Sequence, residues 1–276
     1  MDEVYAIGGA QAIGAMAYGT ESIRPVDVIS GPGNIYVAIA KREVSGVVGI
    51  PSAFTGPSEI VVIADDSTPV EFAAIDVIVQ AEHGPNGLAW LITWSPEAAD
   101  AIDDAIAKLV AASPRRAEIE STFAEGGYAV LVDGPEQAVE VANLIAPEHL
   151  QLMNDDPEAL VPLVRHAGAV FLGPFAPASV GDYLAGPSHV LPTYGSARFG
   201  SALTVDDFVK QVHFVSIDRS ALEHVARHVE VLADTEGFDA HASSIRLRVA
   251  SHLHAIKEHV HEHVRSRLDR DGTDPS

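Results

Sequence analysis

SEIVVIADDSTPVEFAAIDVIVQAEHG, residues 58–84, is the stretch whose reading decides the fold. Its opening carries the uninterrupted apolar run IVVIA, rich in β-branched residues and without the alternation of a strand that has one wet face. Such a run predicts a strand covered on both faces. A turn-forming Asp-Asp-Ser-Thr-Pro follows, with Thr68 as the expected helix cap and Pro69 in the first turn. Apolar residues then recur at helical spacing as far as Gly84, the expected stop. A buried strand leading directly into a helix is half of a β-α-β unit.

Working outward, the same alternation repeats. GLAWLITWS (87–95) reads as a strand and SPEAADAIDDAIAKLVAAS as a helix; GYAVLVDG (127–134) as a strand and PEQAVEVANLIA as a helix. HLQLM is a short strand, PEALVPLVRHAG a helix and GAVFLG a strand. The pattern predicts an α/β protein with Rossmann-like parallel sheets, helices on both faces, and ligands beyond the C-terminal ends of the strands. Residues 1–57 are expected to form only part of a further Rossmann-like layer: a glycine-rich YAIGGAQAIGAMAYGT, a strand and tight turn in VDVISGPGN, and a helix in IYVAIAKREVS. Residues 58–202 are expected to form the main α/β domain, and 203–276 a helical C-terminal segment broken near Gly237, with a polar tail expected to be disordered.

Composition narrows the function. The 276 residues are 47% apolar, a globular balance. Basic residues number 17 against 39 acidic ones, a net charge of −22, which excludes nucleic acid and anionic membrane surfaces as main partners. The carboxylates are scattered, as suits a surface hydrated at high salt, so a halophilic type of surface is expected. No apolar stretch reaches membrane-spanning length and the N-terminus does not read as a signal peptide, so a cytoplasmic location is expected. With no cysteine, a tight metal site must use imidazole, carboxylate or amide ligands.

Four stretches can supply such chemistry. In VQAEHGPNG, Gln80 and His83 stand three apart at a helix end and share a face; a histidine there also serves to satisfy the last carbonyls. In SVGDYLAGPSHVLPT, a Gly- and Pro-rich loop carries Asp182 and His189, whose plainer reading is a cap and a surface histidine. EGFDAHASS holds Glu236 and His241, and His241 added to Gln80, His83 and Asp182 makes a nitrogen and oxygen set suited to Zn²⁺. In APEHLQL, Glu148 and His149 lie at a helix-to-strand junction. His149 is a proton acceptor for alcohol oxidation and Glu148 a group to activate water, against the simpler role of complementing a helix dipole. GGAQ (8–11) and GPGN (31–34) are turns that let backbone approach a phosphate, though neither is the G-x-G-x-x-G fingerprint. HLHAIKEHVHEH places His259 and His263 four apart without an H-E-x-x-H pattern, and reads more simply as a solvated terminal helix.

These stretches together resemble histidinol dehydrogenase. GGAQAIGAMAYGTESI, VDVISGPGNIYVAIAKREV, TGPSEIVVIAD, QAEHGP, APEHLQL, AGAVFLG, GDYLAGPSHVLPTYG, SALTVDDF and DAHASSIRLR carry the resemblance, in order, from Tyr5 to about Val249. It implies oxidation of L-histidinol through L-histidinal to L-histidine with two NAD⁺, closing histidine biosynthesis. It also implies one Zn²⁺ per subunit of a homodimer. Gln80, His83, Asp182 and His241 would be the zinc ligands, with His241 coming from the other subunit. Ser58, His149, Glu236 and the zinc ligands would contact histidinol, with His189 close by; His149 would be the base of the first oxidation and Glu148 would activate water for the second. Gln11 and Asn34 would contact NAD⁺. The chain begins where members of the family are well into their sequence, so the NAD⁺ site is expected to be incomplete. GIPSAFTGPSE departs from the family's usual approach to GPSE, and the histidine-rich tail is extra. Two other readings stand beside this one: a truncated or split chain that binds zinc and histidinol without turnover, and a dehydrogenase of this fold for another polar alcohol.

Overall fold

The structure is a computed structural model that describes residues 2–51, 56–84, 86–250 and 261–262. The histidine-rich tail, with His259 and His263, therefore lies outside the described residues except for 261–262. Among them no helix is long and apolar enough to cross a membrane. The chain divides into two compact units, Met1–Lys210 and Gln211–Ser276.

The first unit is built on a five-stranded parallel sheet in the order β3-β2-β1-β4-β5, formed by β1 (Glu59–Ala64), β2 (Leu88–Thr93), β3 (Gly127–Leu131), β4 (His149–Leu152) and β5 (Ala169–Leu172). All six residues of β1 are buried, as the unbroken apolar run predicts for a strand covered on both faces. Ile60 and Val62 pack beneath α3 (Val70–Ala81), α4 (Pro96–Ala112) and α5 (Arg116–Gly126). Val61 and Ile63, pointing the other way, pack with Leu150 and Leu152 beneath α6 (Pro135–Ile145). Each such buried Val or Ile contributes about 2 kcal/mol of hydrophobic stabilisation before entropy is counted. The chain runs β1-β2-β3 to one edge and crosses back through α6 to place β4 beside β1. Glu148 and His149 are thereby brought to the strand they were 89 and 90 residues away from in sequence, with His149 in register with Ile60.

Several local expectations are corrected. Thr68 does not cap α3, whose preceding residue is Pro69 with no side-chain cap; its hydroxyl instead donates to the Met153 carbonyl at 2.6 Å. PEALVPLVRHAG is not one helix: α7 spans only Pro157–Leu160 and a 3₁₀ turn covers Val161–Leu163, since Pro162 cannot donate to a helical ladder. The expected strand in VDVISGPGN is reduced to an isolated bridge between Val28 and Gly49, because a strand needs an extended partner. The same segment does form helices: α1 (Ala10–Tyr18), hidden in sequence by its small residues, and the expected α2 (Ile35–Val44). Their core is Ile13, Ala17, Ile29, Val37, Val44 and Val48. Helix α5 is also unanticipated. After β5, α8 (Ala178–Tyr183) carries Asp182 on a helix and not on a loop.

The second unit holds α9 (Arg219–Thr235) and a further helical run over 239–250, separated by a turn at Glu236 and Gly237 where the break was expected.

Candidate active site at the N-terminal edge of the sheet

In a β-α-β unit the helix runs antiparallel to its strands, so its C-terminus returns to the edge where the strands begin. That places Gln80 and His83, at the end of α3, on the same edge as Ser58, which precedes β1, and Glu148 and His149, which open β4. The sequence-selected residues of the main domain thus gather opposite the edge expected to receive ligands. At the C-terminal edge the switch point between β1 and β4 is tied shut: Asp65 accepts the Asp155 N–H at 3.0 Å, beside the Thr68–Met153 bond. The N-terminal edge has the electrostatics a cation favours, because α3 directs its carbonyl end there. Thr122 holds that end in place, its hydroxyl hydrogen-bonding to the carbonyls of Ala81 and Gly84 at 2.9 and 2.7 Å.

His149 is 2% exposed. Its Nδ1 lies 2.8 Å from the Glu59 carbonyl, which can only accept, so Nδ1 carries the proton and Nε2 the lone pair. Burial drives the imidazole down to about 4, which keeps it neutral; neighbouring His189 and His83 act in the same direction, the Glu59 carbonyl and Asp182 against it. Nε2 faces His189 Nε2 at 2.8 Å, and His189 Nε2 is 2.7 Å from Asp182 Oδ1. The His189 N–H is therefore shared between a carboxylate and the His149 lone pair. The two rings stack with centroids 4.9 Å apart, and Phe171 also stacks with His149 at 6.0 Å. Gly181 permits this packing: a Cβ there would come within 2.7 Å of the Phe171 ring and 3.1 Å of His189.

Glu148 is enclosed beside His149, with Oε2 accepting the Glu59 N–H at 3.1 Å and standing 3.4 Å from His149 Nδ1. Burial pushes its carboxyl up to about 8, with the neighbouring Glu59 and Asp182 charges adding to the rise and the Glu59 N–H opposing it. The site therefore holds a neutral imidazole, whose lone pair shares the His189 N–H with Asp182, next to a carboxyl that ionises only above neutrality. Together they can accept a proton from an alcohol and, once ionised, one from water.

Glu59 is the residue that sequence inspection misses. It is 2% exposed and its backbone holds both Glu148 and His149. A glutamate at the start of a strand carries no signal of burial, which arises only when β4 is laid beside it.

Among the described residues, His149, Asp182 and His189 offer ligand atoms within 4.8 Å of one another. This grouping shares only Asp182 with the ligand set drawn from sequence. Gln80 is buried at the end of α3, and His83 is exposed but close enough to His149 to act on its charge. Glu236 and His241 are exposed residues of the second unit, the His241 ring resting 5.2 Å from that of Phe238. Gln11 is exposed in α1, and Asn34 caps α2 by accepting the Val37 N–H at 3.1 Å.

Over most of its length the chain is similar to known proteins of one kind. The family model described as histidinol dehydrogenase matches residues 1–249. A histidinol dehydrogenase of Synechococcus sp. is 50% identical over 251 residues, 91% of this chain and 58% of that protein. One from Bacillus cereus is 48% identical over 248 residues, covering 90% and 58%. The crystal structure of histidinol dehydrogenase from Elizabethkingia anophelis superposes with a TM-score of 0.84 at 35% identity, covering 91% of this chain and 58% of that one. The chain thus spans somewhat over half the length of the relatives it matches, and on the breadth of that match it belongs to the histidinol dehydrogenase family.

Proposed function

We propose that the chain acts as a zinc-dependent histidinol dehydrogenase, oxidising L-histidinol through L-histidinal to L-histidine with two NAD⁺. The observation that carries this reading is the neutral, buried His149, its Nδ1 committed to the Glu59 carbonyl with Glu148 beside it, and its Nε2 left as the acceptor, facing His189. In the first oxidation His149 Nε2 accepts the hydroxyl proton as hydride leaves the carbinol carbon. In the second, ionised Glu148 accepts a proton from water as its oxygen adds to the aldehyde carbon. Ser58, His189 and Glu236 would contact the substrate.

The donor chemistry suits a zinc ion: Gln80 and His83 stand at the carbonyl end of α3, Asp182 adds a carboxylate, and no thiolate in the chain competes. Gln80, His83, Asp182 and His241 would hold it, His241 being given by a second subunit of a homodimer. His149 and His189 would not be ligands together. Two nitrogens bound at about 2.0–2.1 Å to one tetrahedral centre stand about 3.3 Å apart, whereas theirs are at hydrogen-bonding distance, 2.8 Å. When bound, zinc supplies a positive charge that orients the substrate and favours loss of its hydroxyl proton.

For NAD⁺, which takes the hydride at each oxidation, the fit rests on Gln11 and Asn34. Asn34 uses its carbonyl oxygen in capping and keeps its amide hydrogens to donate. Neither α1 nor α2 carries an acidic residue in its first turn, a property shared with α8 and α9, so these N-termini do not repel a pyrophosphate. The small-molecule substrate, a cytoplasmic setting and an acidic surface adapted to salt complete the reading.

The test is NADH formation, followed by absorbance, from L-histidinol with Zn²⁺ and molar KCl. Two NADH per histidinol are expected. None from a folded, zinc-loaded sample would refute oxidoreductase activity of this chain.

A further inference from the structure

We propose that Glu59 is a positioning residue whose carboxylate holds the turn at Thr193 and Tyr194 against the start of β1, and so keeps His189 facing His149. Its Oε1 accepts the Tyr194 N–H at 3.1 Å, across 135 residues of sequence. Tyr194 has φ +59°, a left-handed conformation that a tyrosine adopts only when its surroundings hold it. A second tie lies alongside, the Gly56 N–H donating to the Thr193 hydroxyl. Five residues before Tyr194 in the same segment stands His189.

With this bond the contacts form a closed circuit. Glu59 C=O holds His149 Nδ1, His149 Nε2 meets His189 Nε2, and the chain from His189 returns through Tyr194 to the Glu59 carboxylate. The other carboxylate oxygen, Oε2, is buried and has no hydrogen-bond partner among the described residues. An unsatisfied oxygen at the head of the most deeply buried strand costs stability. Glu59 is thus a poor choice for packing, and its useful contribution is the tie to Tyr194.

This inference rests on reading His149 as the proton acceptor, and the experiment separates the two. In the full chain, Glu59→Gln keeps an oxygen that accepts from Tyr194, whereas Glu59→Leu removes the acceptor and the unsatisfied atom together. Imidazole ¹⁵N spectra of the zinc-free proteins should show the His189 resonances displaced in E59L and as in wild type in E59Q. His149 should keep its Nδ1 proton in both, because the backbone carbonyl remains. In turnover of L-histidinol, E59L should lose about tenfold or more in kcat, the scale of a misplaced proton-handling group. Its KM should stay within about twofold and its melting temperature should not fall. E59Q should remain within about twofold of wild type in kcat. Unmoved His189 resonances in E59L overturn the proposal, as does E59Q falling as far as E59L, which E59Q alone reveals even if E59L does not fold. If wild type itself gives no NADH, the activity reading fails, while the imidazole spectra still decide the role of Glu59.

Discussion

Raising the pH of the metal-free protein from 6.5 to 8 is expected to destabilise it by about 2 kcal/mol, with most of the loss coming from Glu148. Burial lifts the Glu148 carboxyl from 4.5 to about 8. Between those values the folded state holds a proton that the unfolded state has released. Its stabilising contribution is full below 4.5 and is lost as pH rises through about 8, at about 1.4 kcal/mol per unit. Glu59, lifted by burial to about 7, adds a smaller loss over the lower part of the window. His149 has the opposite sign. Driven from 6.5 down to about 4, it binds fewer protons folded than unfolded, so it restores stability as pH rises toward 6.5 and offsets little beyond. Urea unfolding at the two pH values with a chelator present, followed by the fluorescence of Trp90 and Trp94, reads the difference directly. Glu148→Gln should cut the loss to under about 1 kcal/mol. A wild-type stability that is flat across the window, or a Gln variant that keeps the full slope, would refute the burial argument for this carboxyl.

Three further outcomes are expected. His149→Asn should lower kcat by about 10²–10⁴-fold with zinc content by mass spectrometry unchanged; loss of the metal instead would make His149 a ligand. Zn²⁺ at about 100 times its Kd should stabilise the wild type by about 2.7 kcal/mol, seen as a rise in melting temperature, and Asp182→Ala should abolish the response. Gly181→Ala should cost about 1–3 kcal/mol, because its Cβ meets Phe171 and His189; an unchanged urea midpoint would show that α8 gives way freely.

The sheet was legible because IVVIA and its counterparts are unbroken apolar runs; the run encodes burial on two faces in central β1, while the edge strands β3 and β5 leave Leu131 and Leu172 exposed. Glu148 and His149 were legible as a junction for a similar reason: the helix before them and the strand after them both have clear periods. What eluded sequence reasoning depends on contacts distant along the chain. Thr68 looks like a cap until β4 offers the Met153 carbonyl, and Glu59 looks solvent-facing until Tyr194 arrives from 135 residues away. The small residues of α1 and the mixed charges of α5 give weak helical periodicity, so those helices form through packing more than through pattern. The general rule for open α/β sheets favours strand C-termini, while α3 delivers Gln80 and His83 to the edge where the strands begin.

That the proposed proton acceptor, His149, is the first residue of β4 has a consequence for motion. Residues 149–152 hydrogen-bond between β1 and β5 inside the sheet, so their amides should exchange with solvent only when the whole unit opens. Asp182 and His189 sit on a six-residue helix and a loop with partly exposed side chains. Were the proposed site to close over a substrate, the movement would be expected in the segment of Asp182 and His189 and not in β4. Amide exchange that slows in 178–195 on ligand binding, with 149–152 already at the global limit, is the signature of that arrangement.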